Sequence, residues 1–165
     1  RGAVTHRLLE YLGKKDSMPH TPAVVAALVS EGVLELEAQE LAEEILQEIQ
    51  DCLQEEFFNW LLSKSHPQAY CEWSLEDRPA EGQIRTGIVD RVVFDGDTWW
   101  VVDYKTSRPA AGEKAEDFLE REVAIYRPQL LAYREMVANY RKVDINSVRP
   151  VLYFTALQRK LELNS

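Results

Sequence analysis

Two aspartates and a lysine on neighbouring predicted strands are the residues of this sequence best suited to chemistry. If Gly96-Asp97 forms a two-residue hairpin loop, Asp90 lies directly opposite Asp103. A four-residue loop over 95–98 gives the same register, and an Asp95-Gly96 loop keeps both acids on one face two positions apart, whereas a three-residue loop breaks the match. Because strand side chains alternate, Lys105 shares the face of Asp103.

This arrangement favours a divalent cation. Like charges placed opposite each other destabilise a sheet, and β-branched residues would pack better at these positions. Carboxylate oxygens, waters and a substrate phosphate form the shell that Mg²⁺ prefers. The Lys105 ammonium could then position or activate a water and offset charge growing on the phosphate. The alternative is an Asp-Lys pair without function on an exposed sheet face, since Asp-x-Lys is a common sequence.

The surrounding sequence predicts the elements that must position these residues. Apolar spacing indicates helices over 3–12, 22–29 with an N-cap at Thr21, and about 34–62. β-branched and aromatic runs indicate strands over 69–75, 83–94, 98–105 and 149–157. A further helix over 117–140 should kink or restart at Pro128. The third helix has an apolar stripe formed by Leu34, Leu41, Ile45, Ile49, Leu53 and Trp60.

Length and pattern together predict one α/β domain. The 165 residues suffice for a single core. We expect a helical N-terminal part over 1–64 and a catalytic part over 68–157, in which a mixed, mostly antiparallel sheet is flanked by helices. The chain opens on Arg1 and enters a helix almost at once, so we interpret residues 1–165 as a fragment of a larger protein.

The charge is unevenly distributed. The formal net charge is −9, which excludes a histone-like protein that coats nucleic acid. Ten of the 28 acidic residues lie within 31–57, a range without Lys or Arg, so 18 acidic residues accompany 19 basic ones elsewhere. The acidic run is interpreted as a solvated helix face, the alternative being a partner-binding face. The candidates for phosphate contact are Arg91, Arg108, Arg121, Arg127, Arg134 and Arg141.

Cysteine content and hydropathy limit which cellular compartment and which cofactors the sequence is compatible with. Cys52 and Cys71 suit a reducing compartment and cannot form a four-thiolate zinc or iron–sulfur site. No apolar run reaches the roughly 20 residues that span a bilayer, and no signal-peptide pattern is present. We therefore expect a cytoplasmic protein without an iron–sulfur cluster or a membrane partner. The sequence also lacks the phosphate-binding loop of nucleotide triphosphatases.

Four motifs, in order, resemble the RecB-like branch of the PD-(D/E)XK nucleases. Gly87-Ile88-Val89-Asp90-Arg91 and Asp103-Tyr104-Lys105-Thr106 resemble the Asp and Asp-x-Lys of the active-site strands. Gly2-Ala3-Val4-Thr5-His6 is similar to the helix that carries a metal-binding histidine, and Gln129-Leu130-Leu131-Ala132-Tyr133 to the Gln-x-x-x-Tyr motif. The matches extend from residue 2 to residue 133.

The resemblance implies a restriction-endonuclease-like core and a set of site residues. It implies that Mg²⁺, with Mn²⁺ able to substitute, is bound by His6, Asp90, Asp103 and the backbone carbonyl of Tyr104. It assigns catalysis to Asp90, Asp103, Lys105, Gln129 and Tyr133, the last two placing the DNA backbone. Glu72 matches a glutamate often found in the family on the strand before Asp90, so it is a candidate for binding the metal or for supporting its ligands. On their own, His6 could be a core histidine, and Gln129 and Tyr133 could cap the sheet.

The function implied is that of a magnesium-dependent deoxyribonuclease similar to exonuclease V. The resemblance points to the C-terminal nuclease domain of a RecB- or AddA-type helicase–nuclease in double-strand break repair and recombination. Its partners would be DNA, the helicase domains of the same parent chain and, in some arrangements, a second subunit. The alternatives are a catalytically inactive nuclease fold used for DNA scanning or partner binding, and a stand-alone relative of the CRISPR-associated or AddB type.

Overall fold

The computed structural model describes residues 1–78 and 82–163. These residues form two compact units, Arg1–Ser63 and Lys64–Ser165. Within the described ranges, no helix combines the length and apolar character needed to cross a membrane.

The first unit is helical. Its helices are α1 (Gly2–Lys14), α2 (Thr21–Ser30), α3 (Glu35–Gln54) and α4 (Glu56–Leu62). The N-cap of α2 is His20, whose backbone is extended, so the prediction of Thr21 was wrong by one position. The N–H groups of Ala23 and Val24 bond the His20 carbonyl, which places the start of the helix one residue earlier.

The predicted single helix over 34–62 was wrong, because the chain breaks at Glu55. Glu55 adopts an extended backbone, and its carboxylate accepts hydrogen bonds from the N–H groups of Phe57 and Phe58. This satisfies the first donors of α4 and begins a new helix. The predicted apolar stripe is also only partly buried, since Leu34 is 68% exposed. The buried positions of α3 include Ala38, Ala42, Ile45, Ile49 and Cys52.

Most of the acidic residues of α3 are exposed, as a solvated helix face requires. Glu48 is the exception, because it is buried and pairs with Arg1 at 2.7 Å. Arg1 also reaches Glu44, and Arg7 of α1 pairs with Glu31. Arg1 and Arg7 thus neutralise part of the acidic run.

The second unit contains a five-stranded sheet and one long helix. The elements are β1 (Gln68–Asp77), β2 (Arg85–Phe94), β3 (Trp99–Lys105), α5 (Ala115–Arg141), β4 (Val148–Phe154) and β5 (Arg159–Glu162). The spatial order follows the chain, and β3–β4 is the parallel pair among the antiparallel ones. The predicted α/β class with a mixed, mostly antiparallel sheet is confirmed.

The end of the sheet differs from the sequence prediction. The last predicted strand, 149–157, ends at Phe154, and a 3₁₀ turn over Thr155–Leu157 leads into β5. β5 was not predicted, because Arg159–Glu162 is short and largely polar. β4 runs parallel to β3 because α5 supplies the crossover that a parallel pair needs.

α5 continues through Pro128 as one helix, so the predicted restart was wrong. Proline removes the hydrogen bond to the carbonyl four residues earlier, here that of Ala124. Both Ala124 and Pro128 are exposed, so water can satisfy this carbonyl. The opposite side of α5 packs on the sheet through Leu130, Val137 and other buried residues.

The hairpin between β2 and β3 has the predicted register. Phe94 pairs with Trp99 and Arg91 with Val102, where the ladder ends, so Asp90 and Asp103 occupy the opposing positions directly after the last pair. The turn is held by Asp95, whose carboxylate accepts hydrogen bonds from the N–H groups of Asp97 and Thr98. This local cap fixes the loop length and hence the register on which the two acids depend.

Candidate active site

Asp90 and Asp103 lie at the end of the β2–β3 hairpin remote from its turn. One oxygen of Asp90 accepts a hydrogen bond of 2.7 Å from the Tyr104 N–H. Asp103 is only 6% exposed, and its carboxylate lies 2.7 Å from the Lys105 ammonium. Two carboxylates and one ammonium are therefore held together by backbone register rather than by flexible loops.

Glu72 brings a further carboxylate close to that of Asp90. The flanking residues Cys71 and Trp73 pair with Arg91 and Val89, and a carboxylate oxygen of Glu72 lies within 4.8 Å of one of Asp90. The backbone φ of Glu72 is +48°, in the left-handed region, although it is neither glycine nor at a turn. Such strain costs on the order of 1–3 kcal/mol and persists where surrounding structure enforces it, commonly at functional sites.

The remaining ligands expected from the sequence are His6 and the carbonyl of Tyr104. His6 lies on α1 of the first unit and is half-buried. Tyr104 is buried, and its ring meets that of Tyr153 edge-on. The assignment of either residue as a metal ligand stays a prediction.

Gln129 and Tyr133 lie one turn apart on α5. The Gln129 amide donates a hydrogen bond of 3.0 Å to the Tyr133 hydroxyl oxygen. Burial raises the pKa of this hydroxyl, and the negative charges of Asp103 and Asp90 raise it further. Tyr133 is therefore protonated at neutral pH, and its proton is bonded to no acceptor among residues 1–78 and 82–163. It is available to donate to a ligand.

Gly87 explains how the Tyr133 ring can approach the sheet. A Cβ at position 87 would lie 2.6 Å from Cε1 of Tyr133 and 3.5 Å from the sulfur of Met136. Real side chains do not tolerate the first distance, so only glycine leaves room for the ring. The sequence motif contained this glycine, but its neighbour on α5 became visible only in the fold.

Tyr126 is a site residue that sequence reasoning missed. The Lys105 ammonium lies 3.5 Å from the centroid of the Tyr126 ring, within the range of a cation–π interaction. Tyr126 precedes Tyr133 by seven residues, which is two helical turns, so both lie on one face of α5. That spacing, together with the position just before the Gln129 motif, was the signal that could have identified it.

Glu122, one turn before Tyr126, was also missed. It is 4% exposed, accepts a hydrogen bond of 2.6 Å from the Ser107 hydroxyl and pairs with Arg121. Ser107 lies two residues after Lys105, where the strand that carries Asp103 ends. Glu122 therefore ties the exit of β3 to α5.

Several of the arginines considered for phosphate contact are engaged within the protein, including Arg134, whose Nε donates to the backbone carbonyls of Ile145 and Val148. Arg91 is 1% exposed and donates to the Cys71 sulfur, and Arg121 pairs with Glu113 and Glu122. Arg141 lies 4.4 to 5.4 Å from the rings of Tyr70, Trp73, Trp99 and Tyr140. Arg108 is exposed on the segment after β3.

The side chains at the hairpin fit a divalent cation. Asp90, Asp103 and Glu72 supply the hard oxygen donors that Mg²⁺ and Mn²⁺ prefer. Glu72 and Asp90, whose carboxylate oxygens lie within 4.8 Å of each other, repel unless positive charge offsets them. Lys105 supplies one such charge at Asp103. A cation at the carboxylates would supply the rest.

Comparison with known proteins agrees with this geometry. The sequence matched none of the curated proteins with which it was compared. The family model of the PD-(D/E)XK nuclease superfamily matches residues 1–162, nearly the whole chain. The chain therefore belongs to the PD-(D/E)XK nuclease superfamily.

Proposed function

We propose that this protein hydrolyses DNA phosphodiester bonds with the help of Mg²⁺, with Mn²⁺ able to substitute. The observation that carries the proposal is the position of Asp90 and Asp103 directly after the last pair of the β2–β3 ladder, where Tyr104 N–H bonds Asp90 and the Lys105 ammonium lies 2.7 Å from Asp103. Superfamily membership supports a nuclease activity, and this set of side chains offers a place for it.

The metal would be held by Asp90 and Asp103, with His6 and the Tyr104 carbonyl as further ligands and Glu72 beside them. When bound, the cation polarises the phosphodiester and lowers the pKa of a coordinated water. The hydrogen bond from Tyr104 N–H to Asp90 orients that carboxylate before any cation arrives. Preorganised ligands reduce the reorganisation that binding requires.

Lys105 would act on the water and on the phosphate. Its ammonium can orient an attacking water by hydrogen bonding and offset the negative charge that develops on the phosphate oxygens. The Asp103 carboxylate and the Tyr126 ring hold the ammonium from two directions, so its position is fixed before substrate binds.

Gln129 and Tyr133 would position the DNA backbone. The hydroxyl of Tyr133 already accepts a hydrogen bond from Gln129, so its own proton is directed to another acceptor. A phosphate oxygen is such an acceptor. Because the pKa of Tyr133 is raised, this donor persists into alkaline solution.

We further propose that the chain is the nuclease domain of a RecB- or AddA-type helicase–nuclease that acts in double-strand break repair and recombination. The support is the order of the motifs, from the histidine helix through the two active-site strands to Gln129 and Tyr133. An exonuclease V-like activity would then depend on helicase domains that deliver the DNA strand.

The test compares variants of the proposed metal ligands with a variant of Lys105. Asp90→Ala, Asp103→Ala and His6→Ala should each weaken Mn²⁺ binding in a calorimetric titration, because each removes a donor. Lys105→Ala should retain Mn²⁺ binding, yet lower the cleavage of a labelled oligonucleotide by orders of magnitude. Lys160→Ala, an exposed lysine on β5, is the control and should change neither.

Three results would contradict the proposal. These are cleavage undiminished by EDTA, wild-type cleavage by Lys105→Ala, and full metal affinity with full rate in Asp90→Ala. A catalytically inactive module would instead bind DNA and cleave it with neither metal.

A further inference from the structure

A polar cavity opens in the second unit between the end of α5 and the start of β4. Its volume is about 240 Å³, and its lining is almost wholly polar. Arg134, Asn146, Arg149 and Glu162 contribute the polar side chains. β4 begins beside Trp99, whereas Lys105 pairs with Phe154 at the other end of the strand. Asp103 pairs with Leu152, so the β4 residues that line the cavity, Val148 to Pro150, lie two to four residues from it, roughly 7–13 Å of strand.

Arg134 is a charged residue that is buried in the wall of this cavity. It is 9% exposed, and its Nε donates to the backbone carbonyls of Ile145 and Val148, at 3.2 and 2.9 Å. Within residues 1–78 and 82–163, its terminal N–H groups make no hydrogen bond and no carboxylate lies within ion-pair distance. Buried arginines are normally paired with an acid, because an uncompensated charge is costly to bury.

The other charges of the cavity do not compensate Arg134. Glu162 is the acidic residue of the lining, and its carboxylate is directed to Arg149 at 3.5 Å. Arg149 also lies over the ring of Trp100, at 5.1 Å from its centroid. Among residues 1–78 and 82–163, the cavity lining therefore has two guanidinium groups and one carboxylate, which leaves one positive charge.

We propose that this cavity binds a phosphate group, held by the terminal N–H groups of Arg134 with Arg149 and Asn146 beside it. The two backbone carbonyls fix the plane of the Arg134 guanidinium, so its remaining donors are oriented before the ligand arrives. Planar paired N–H donors match two oxygens of a phosphate. The phosphate can belong to the DNA backbone, which rests on the proposed function, or to free inorganic phosphate or a mononucleotide.

The test measures binding without metal, so it does not depend on cleavage. Inorganic phosphate and a labelled oligonucleotide are titrated separately into the intact chain in EDTA. Arg134→Lys should weaken phosphate binding roughly tenfold, because a single ammonium cannot make the paired hydrogen bonds. Glu162→Gln should strengthen phosphate binding by a similar factor, because a repelling charge is removed while the fold is retained.

The oligonucleotide identifies the source of the phosphate. If the cavity holds a DNA phosphate, both variants shift oligonucleotide affinity in the same directions, and Arg134→Lys flattens the salt dependence. If it holds free phosphate or a mononucleotide, the phosphate titration changes alone. No saturable phosphate binding, together with unchanged DNA binding in both variants, would overturn the proposal. Metal-dependent cleavage by Glu162→Gln reports on the proposed function separately.

Discussion

Tyr126 should position the Lys105 ammonium through its ring and not through its hydroxyl. The ring centroid lies 3.5 Å from the ammonium nitrogen, whereas the carboxylate of Asp103 contacts the same nitrogen at 2.7 Å. Tyr126→Leu removes the aromatic face and keeps an apolar side chain. Tyr126→Phe keeps the face and removes only the hydroxyl, so it is the matched control.

The size of the effect follows from the burial of the lysine. Cation–π interactions contribute about 0.5–1 kcal/mol at exposed sites and about 2 kcal/mol when desolvated. The Lys105 side chain is 14% exposed, which favours the upper part of that range. A loss of about 1–2 kcal/mol in the transition state corresponds to a cleavage rate about 5–30-fold lower. The ion pair with Asp103 persists, so the loss should not reach that of Lys105→Ala.

The assay is single-turnover cleavage of an oligonucleotide at saturating Mn²⁺, beside a calorimetric titration of the metal. We expect Tyr126→Leu to slow cleavage with metal affinity unchanged and Tyr126→Phe to remain within about twofold of wild type, since its ring is intact. Wild-type cleavage by Tyr126→Leu would refute the positioning role. An equal loss in the Leu and Phe variants would assign the effect to the hydroxyl.

Three other predictions concern the packing and ionisation of the second unit. Gly87→Ala should lower the free energy of unfolding by about 1–3 kcal/mol in urea denaturation, because the added methyl group meets the Tyr133 ring. In a Tyr133→Ala background, Gly87→Ala should cost little further stability. If the two variants lower the free energy of unfolding additively, the close approach is contradicted. Because burial raises the pKa of Tyr133, ionisation of this residue should not produce the alkaline limb of the pH–rate profile below about pH 10. Tyr133→Phe should therefore lower the cleavage rate without moving the pH at which that limb begins. The hydrogen bond from Arg85 lowers the pKa of Asp77, so this carboxylate should stabilise the fold above about pH 4 and cease to do so as the pH falls through the lowered value. Asp77→Asn should therefore lower Tm at pH 7 and have little effect near pH 2, with the exposed Asp117→Asn as control.

The parts of the site that the sequence predicted are those set by local periodicity. Alternation along β2 and β3, together with the turn at 95–98, was enough to place Asp90 opposite Asp103 and Lys105 near Asp103. The break at Glu55 was missed because the apolar spacing continues through it, whereas the break itself comes from the Glu55 side chain capping a new helix. β5 was missed because this short, polar edge strand lacks the alternation of apolar and polar residues from which strands are predicted.

The contacts of α5 with the strands could not be predicted in the same way. Tyr126 meets Lys105, and Tyr133 meets Gly87, across separations of 21 and 46 residues. No local pattern specifies such pairs, since they depend on how far α5 is rotated and shifted against the sheet. A glycine in a strand signals a close approach of some kind, but it does not name the neighbour.

The continuity of α5 through Pro128 gives these separate contacts a common origin. Tyr126 lies before the proline and Tyr133 after it, so a restart at Pro128 would let the two rings move independently. In an unbroken helix they are held roughly 10 Å apart along the axis. The lysine at the end of β3 and the proposed DNA-positioning hydroxyl are thereby placed by one rigid element. Glu122, which holds the exit of β3 through Ser107, ties the same helix to the catalytic strand. A proline on the exposed face thus leaves intact the helix face that both tyrosines require.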